Sequence, residues 1–105
     1  MTSVKVLNEE SLCDFFTNKE GELCIISTPT CGKCMHIVKA IEQNDMPASL
    51  YRIQEPDSIG ADIFMDKLGI QSVPAAVYAR DKKIDLLLNA GNYTEVEQWM
   101  KQITA

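Results

Sequence analysis

Leu23-Cys24-Ile25-Ile26-Ser27-Thr28-Pro29-Thr30-Cys31-Gly32-Lys33-Cys34 joins an apolar run to two cysteines with two residues between them. The run does not alternate with polar residues, so it reads as a strand over 22–28 covered on both faces. The next segment, Met35 to Ile41, reads as a helix running to about Asn44. Cys34, Ile37, Val38 and Ile41 fall on one stripe of it. Both thiols are therefore expected where a strand hands over to a helix.

That placement has a chemical consequence. The thiolate, not the thiol, is the sulfur nucleophile and the metal ligand. The first turn of a helix offers unpaired N–H groups and the positive end of the macrodipole. Both favour a negative sulfur. Cys31 would stand at or just before that turn, with Cys34 one turn further in and on the same face. Thiols in such settings have pKa values of roughly 3.5–7.5. A disulfide can close over so small a loop, and Gly32 is expected to relieve crowding there. Lys33 pushes the same way if it points at a sulfur; a solvated helix residue is the plainer reading.

Composition bounds the rest. A chain of 105 residues predicts one domain spanning 1–105, large enough for its own core. Hydrophobic residues make up 46% and charged residues 24%, as in an ordinary soluble protein. A formal charge of −5 without a basic run argues against nucleic acid and anionic membrane as partners. No apolar stretch approaches the ~18–20 residues of a membrane span. Met1-Thr2-Ser3-Val4-Lys5 lacks the regions of a signal peptide, so a cytoplasmic location is expected. Four cysteines in that compartment suggest catalysis or metal binding before structural bridges.

Outward from the central stretch, Val4 to Leu7 reads as a short strand. Asn8 would cap a helix over about 9–20, with Glu9 and Glu10 in its first turn. Leu7 and Leu12 would form a hydrophobic staple, Leu12, Phe15 and Phe16 the buried face, and Gly21 the stop. After the cysteines, Leu50 to Gln54 is a third strand, followed by a turn at Glu55-Pro56-Asp57. Asp57 would cap a helix buried through Ile59, Ile63, Phe64 and Leu68 and ended by Gly69. Ala75 to Arg80 and Ile84 to Asn89 would make an antiparallel hairpin across Asp81-Lys82-Lys83. Thr94-Glu95-Val96-Glu97 reads as a capping box for a last helix, with Val96, Trp99, Met100 and Ile103 inward. The order β-α-β-α-β-α-β-β-α predicts an α/β fold with helices on both faces of a mixed sheet.

A second feature sharpens the first. In Ser72-Val73-Pro74 the proline stands directly before an apolar strand. A trans proline would be tolerated there. A cis Val73–Pro74 peptide would instead set the Val73 backbone beside Cys31, where its N–H and C=O could pair with an extended substrate.

The chain resembles the thioredoxin-like family over nearly its whole length. The matching pieces are Cys31-Gly32-Lys33-Cys34, Gly69-Ile70-Gln71-Ser72-Val73-Pro74, and Gly91 ahead of the last helix. The resemblance implies a three-layer α/β/α sandwich with a mixed sheet of four to five strands and about four helices. It implies a redox-active disulfide between Cys31 and Cys34. Cys31 would attack a substrate disulfide and Cys34 would resolve the mixed disulfide. Thr30, Gly32, Lys33, Val73, Pro74 and Gly91 would bind the substrate. The implied partners are disulfide-containing proteins and an external reductase or glutathione. No cofactor or metal is implied, and a monomer is expected. The chain departs from thioredoxins proper at Thr30 (tryptophan there), Lys33 (proline) and Ile25 (a buried aspartate). Its Thr-Pro-Thr-Cys run is closer to glutaredoxins, but Asn92 and Tyr93 follow Gly91 where glutaredoxins hold glutathione with Gly-Gly and an acidic residue.

Two alternatives stand beside the dithiol reductase: a non-catalytic peptide-binding or redox-sensing adaptor, and a glutathione-dependent, glutaredoxin-like reductase. A zinc site would need Cys13 and Cys24, whose spacing is not a usual ligand pattern. Both are expected to pack as small hydrophobes. His36, two residues past Cys34, is expected on the surface. Tyr51 and Tyr93 carry no assignable role.

Overall fold

The computed structural model describes residues 4–28, 31–54 and 59–104. Thr30, the turn Glu55-Pro56-Asp57 and the side chain of Ile59 lie outside the described residues. The elements are β1 (Lys5–Val6), α1 (Glu9–Thr17), β2 (Glu22–Ser27), α2 (Gly32–Gln43), β3 (Ser49–Arg52), α3 (Ile59–Ala61) continuing as a π-helical stretch (Asp62–Lys67), β4 (Ala75–Arg80), β5 (Lys83–Leu87) and α4 (Tyr93–Ile103). The five strands form one sheet in the order β1-β3-β2-β4-β5. β1, β3 and β2 run parallel, while β4 is antiparallel to β2 and to β5.

The central place of β2 explains its unbroken apolar run: Leu23 to Ser27 are all buried. Successive side chains still alternate between faces, as pleating requires. Cys24 and Ile26 join one core with Leu12, Phe15, Tyr51, Phe64 and Val77. Leu23 and Ile25 join the other with Ile37, Val38, Ile41, Leu50 and Val96. The first core lies under α1 and the π stretch, the second under α2 and α4. The predicted three layers and mixed sheet are therefore present.

Local details moved. Helix α1 ends at Thr17, short of the expected residue 20. The Asn18 side chain accepts from the N–H groups of Glu20 and Gly21 at 2.8 and 3.2 Å, offering the backbone a turn in place of another helical turn. Gly21 then enters β2 with φ +99°, a left-handed value suited to glycine. The third helix widens into i→i+5 bonding, with Leu68 N–H donating to Ile63 C=O at 3.0 Å. The wider turns shift its stripe, so Phe64 is buried while Ile63 and Leu68 are only partly so. The hairpin turn holds two residues, Asp81 and Lys82, both at positive φ, and Lys83 joins β5. Asn92, not Thr94, caps α4, accepting from Glu95 N–H at 3.3 Å.

Cys24 is buried, as expected of a small hydrophobe, but Cys13 is exposed. Position 13 sits one residue off the Leu12–Phe15 stripe, about 100° round the helix, and so faces water.

Candidate active site

The site begins with the end of β2. Cys31 has extended backbone angles and is the N-cap of α2. Its Sγ accepts a hydrogen bond from the Cys34 N–H at 3.2 Å, and its own N–H donates to Thr28 C=O at 3.2 Å. A sulfur therefore occupies the place where a serine or aspartate oxygen usually satisfies the first helical turn. Cys31 and Cys34 are joined in a disulfide, with Cα atoms 5.4 Å apart. The two ends of the bridge differ: Cys31 is half-buried, and Cys34 is 2% exposed.

The Val73–Pro74 peptide is cis. Ala90 N–H donates to Pro74 C=O at 3.1 Å, which ties the approach to α4 onto this loop. A Cβ added at Gly91 would stand 3.7 Å from Pro74 Cγ, so the two backbones lie close. An open groove of about 510 Å³ results, lined among others by Lys33, His36, Val73, Pro74, Gly91 and Glu95. It gathers four residues expected to bind substrate, Lys33, Val73, Pro74 and Gly91, from three separate parts of the chain. His36 is exposed as expected, yet it lines this groove, one turn of α2 on from Lys33. Gly32 does not line it. Apart from its chain neighbours and its own helix backbone, a Cβ at Gly32 would meet nothing within 4 Å, so no other part of the fold requires glycine there.

This architecture superposes on solved thioredoxins. Thioredoxin f from spinach chloroplast (long form) matches with a TM-score of 0.76 at 13% identity, over 98% of this chain and 88% of that one. Thioredoxin Mala s 13 from Malassezia sympodialis matches with a TM-score of 0.73 at 14% identity, over 100% and 94%. The solution structure of oxidised Plasmodium falciparum thioredoxin matches with a TM-score of 0.72 at 19% identity, over 98% and 100%. The chain has the thioredoxin fold. No protein-family model matches it, and no curated protein does.

Within this thioredoxin fold the cysteine pair is arranged consistently with thiol–disulfide exchange: bridged, at a helix start, with Cys31 half-buried and Cys34 buried. Of the two remaining thiols, burial, reinforced by the Glu22 charge, pushes Cys24 far above the ordinary cysteine range, which keeps it protonated and inert. Tyr93 in α4 is also raised, chiefly by desolvation and then by Glu97. Among the described residues, no three His, Cys, Asp or Glu side chains gather as a metal site would require. No helix of the described residues is long and apolar enough to cross a membrane.

A second cavity, of about 320 Å³, reaches the bridge itself, whereas neither cysteine lines the groove. Cys31 and Cys34 line it together with Thr28, Met35, Arg52 and Gln54. Arg52 and Gln54 were not singled out by sequence. The available signal was their place at the carboxyl end of a strand in the parallel half of the sheet, where ligand sites of such folds collect.

Proposed function

We propose that the protein is a dithiol thiol–disulfide oxidoreductase acting on protein disulfides. The unequal exposure of the Cys31–Cys34 bridge carries this reading. In the reduced protein, the helix N-terminus and the Cys34 N–H stabilise a thiolate at Cys31. That thiolate attacks one sulfur of the substrate disulfide, and the other sulfur departs. The Cys34 thiol then loses its proton to the departing substrate thiolate and attacks Cys31 Sγ. The second substrate sulfur leaves as a thiolate and takes a proton from solvent, so the substrate departs as a dithiol and the bridge is restored. Shielding of Cys34 reserves it for this second step, because a folded substrate reaches Cys31 first.

The groove along Lys33, Val73, Pro74 and Gly91 is the substrate-binding surface in this reading, with the Val73 backbone pairing an extended segment. The protein works as a monomer in the cytoplasm, needs no cofactor of its own, and is re-reduced by an external reductase or glutathione.

The test is reduction of a protein disulfide with dithiothreitol as donor. Cys31→Ser abolishes turnover. Cys34→Ser accumulates a mixed disulfide through Cys31, visible by mass and released by excess thiol. An unreactive Cys34→Ser protein, together with partners still held by Cys31→Ser, would replace this reading with a binding adaptor.

A further inference from the structure

One cavity opens onto the bridge itself, and the proposed substrate groove lies on the other side of the start of α2, beside Lys33. The substrate groove is walled by the loop before β4 and the start of α4. The smaller cavity is walled by the ends of β2 and β3, and the two share no lining residue. Because β2 lies between β3 and β4 in the sheet, these openings flank the start of α2.

The smaller cavity is chemically distinct. Ser27 pairs with Arg52 across the parallel β2–β3 register, and Ile53 N–H donates to Ser27 C=O at 2.8 Å. This fixes the end of β3 beside the strand that carries the cysteine loop. Arg52 is the only charged residue among the described residues that line the cavity. Among the described residues, no carboxylate pairs with its guanidinium. Met35, Val38 and Leu50 supply an apolar wall, and Thr28 and Gln54 supply polar groups. At about 320 Å³ it stands at the small end of ligand sites, which span roughly 300–1,000 Å³. That is room for a small molecule and too little for a folded protein's disulfide loop. The chain's formal charge of −5 disfavours anions in general, so a cation without a carboxylate partner among the described residues gives them a local way in beside the bridge.

We propose that this cavity admits a low-molecular-weight thiol bearing a carboxylate, which reduces the Cys31–Cys34 bridge while Arg52 holds the carboxylate. The proposal rests on the oxidoreductase reading and names a reductant for it. The small thiolate attacks Cys31 Sγ, the S–S bond breaks, and Cys34 leaves as a thiolate that takes up a proton. A second molecule of the thiol, as thiolate, attacks the small molecule's sulfur in the mixed disulfide. It leaves as the oxidised dimer, and Cys31 is freed as a thiolate. Two electrons pass from two small thiols to one bridge.

The experiment measures the rate of bridge reduction by 3-mercaptopropionate and by 2-mercaptoethanol, using rapid alkylation and mass. Each reagent's own ionisation and nucleophilicity cancel when the ratio of the two rates is compared between proteins. Arg52→Gln lowers the ratio about three- to fivefold, the size of a partly exposed charge pair. Arg52→Lys retains most of it. Arg52→Glu lowers it further and accelerates reduction by cysteamine, whose charge is opposite. An unchanged ratio in Arg52→Gln, or an equal fall in Lys33→Gln on the opposite groove, overturns the proposal and leaves the oxidoreductase reading intact. A wild-type bridge that neither thiol nor dithiothreitol reduces overturns both.

Discussion

The Cys34 N–H donates to Cys31 Sγ at 3.2 Å, so one sulfur is both the N-cap of α2 and half of the disulfide. Capping and reactivity are therefore the same interaction: the sulfur that satisfies this helix-end N–H is the one the N–H stabilises as a thiolate on reduction.

The first prediction separates the cap from the chemistry. Neither Cys31→Ser nor Cys31→Ala can form the bridge, so their difference reports capping alone. Serine keeps an acceptor for the Cys34 N–H and alanine does not. The serine variant is expected to be more stable by about 1 kcal/mol in urea unfolding under reducing conditions. Equal midpoints and slopes would show that the sulfur contributes nothing to the helix end.

Thiol accessibility predicts an order of alkylation. Cys13 is exposed, Cys24 is buried, and Cys31 and Cys34 are bridged. Iodoacetamide should label Cys13 alone in the native oxidised protein, then Cys31 after reduction. Cys34 should follow slowly, and Cys24 should react only on unfolding. Peptide mass mapping over time reads this directly. Early labelling of Cys24 would contradict its place in the core.

Cys24 also predicts an alkaline limb in stability. Burial, with the nearby Glu22 charge, raises its pKa in the folded state. The unfolded chain ionises this thiol above about pH 8.5 while the folded chain keeps it protonated. The unfolded state then binds fewer protons, and stability falls as pH rises. Below that pH the contribution is intact. The thiol's share of the slope is at most about 1.4 kcal/mol per pH unit. Cys24→Ala removes that share. The cavity it leaves lowers stability at every pH alike, so denaturation from pH 7 to 10.5 should show a shallower alkaline slope in the variant.

Gly60 reverses a familiar helix rule. Alanine normally exceeds glycine in a helix by about 1 kcal/mol. At Gly60 a Cβ would run into the Tyr51 ring. That ring is 4% exposed and stands 5.4 Å from the Phe64 ring, so it has little room to retreat. Gly60→Ala should cost about 1–3 kcal/mol, the usual penalty of overpacking. The cost should shrink in a Tyr51→Leu background. A full cost there would point to the backbone instead of the ring.

Much of the fold could be read before any coordinates. The apolar run Leu23–Ile26 announced a central strand because a strand covered on both faces has no polar positions to spare. Cys34, Ile37, Val38 and Ile41 announced the buried side of α2 because a helix repeats every 3.6 residues. Exact ends were harder. Asn92 and Thr94 both suit a cap, and the choice fell to Asn92. Asn18 cut α1 short by bonding its own turn, a competition that periodicity does not register.

The candidate site divides in the same way. The cysteine pair, its helix start and the Val73–Pro74 step lie in short segments whose chemistry is local. The convergence of Val73 and Pro74 with Lys33 and Gly91 in one groove, and the arrival of Arg52 in the cavity at the bridge, depend on strand pairing. Ser27 meets Arg52 only because β2 and β3 align in parallel with that register. Periodicity says which face of an element is buried, since backbone geometry repeats within the element. It does not say which ends meet, since that follows from hydrogen bonding and packing between segments far apart in the chain. The sulfurs were therefore legible in the order of residues, and the groups that surround them were settled by the folded sheet.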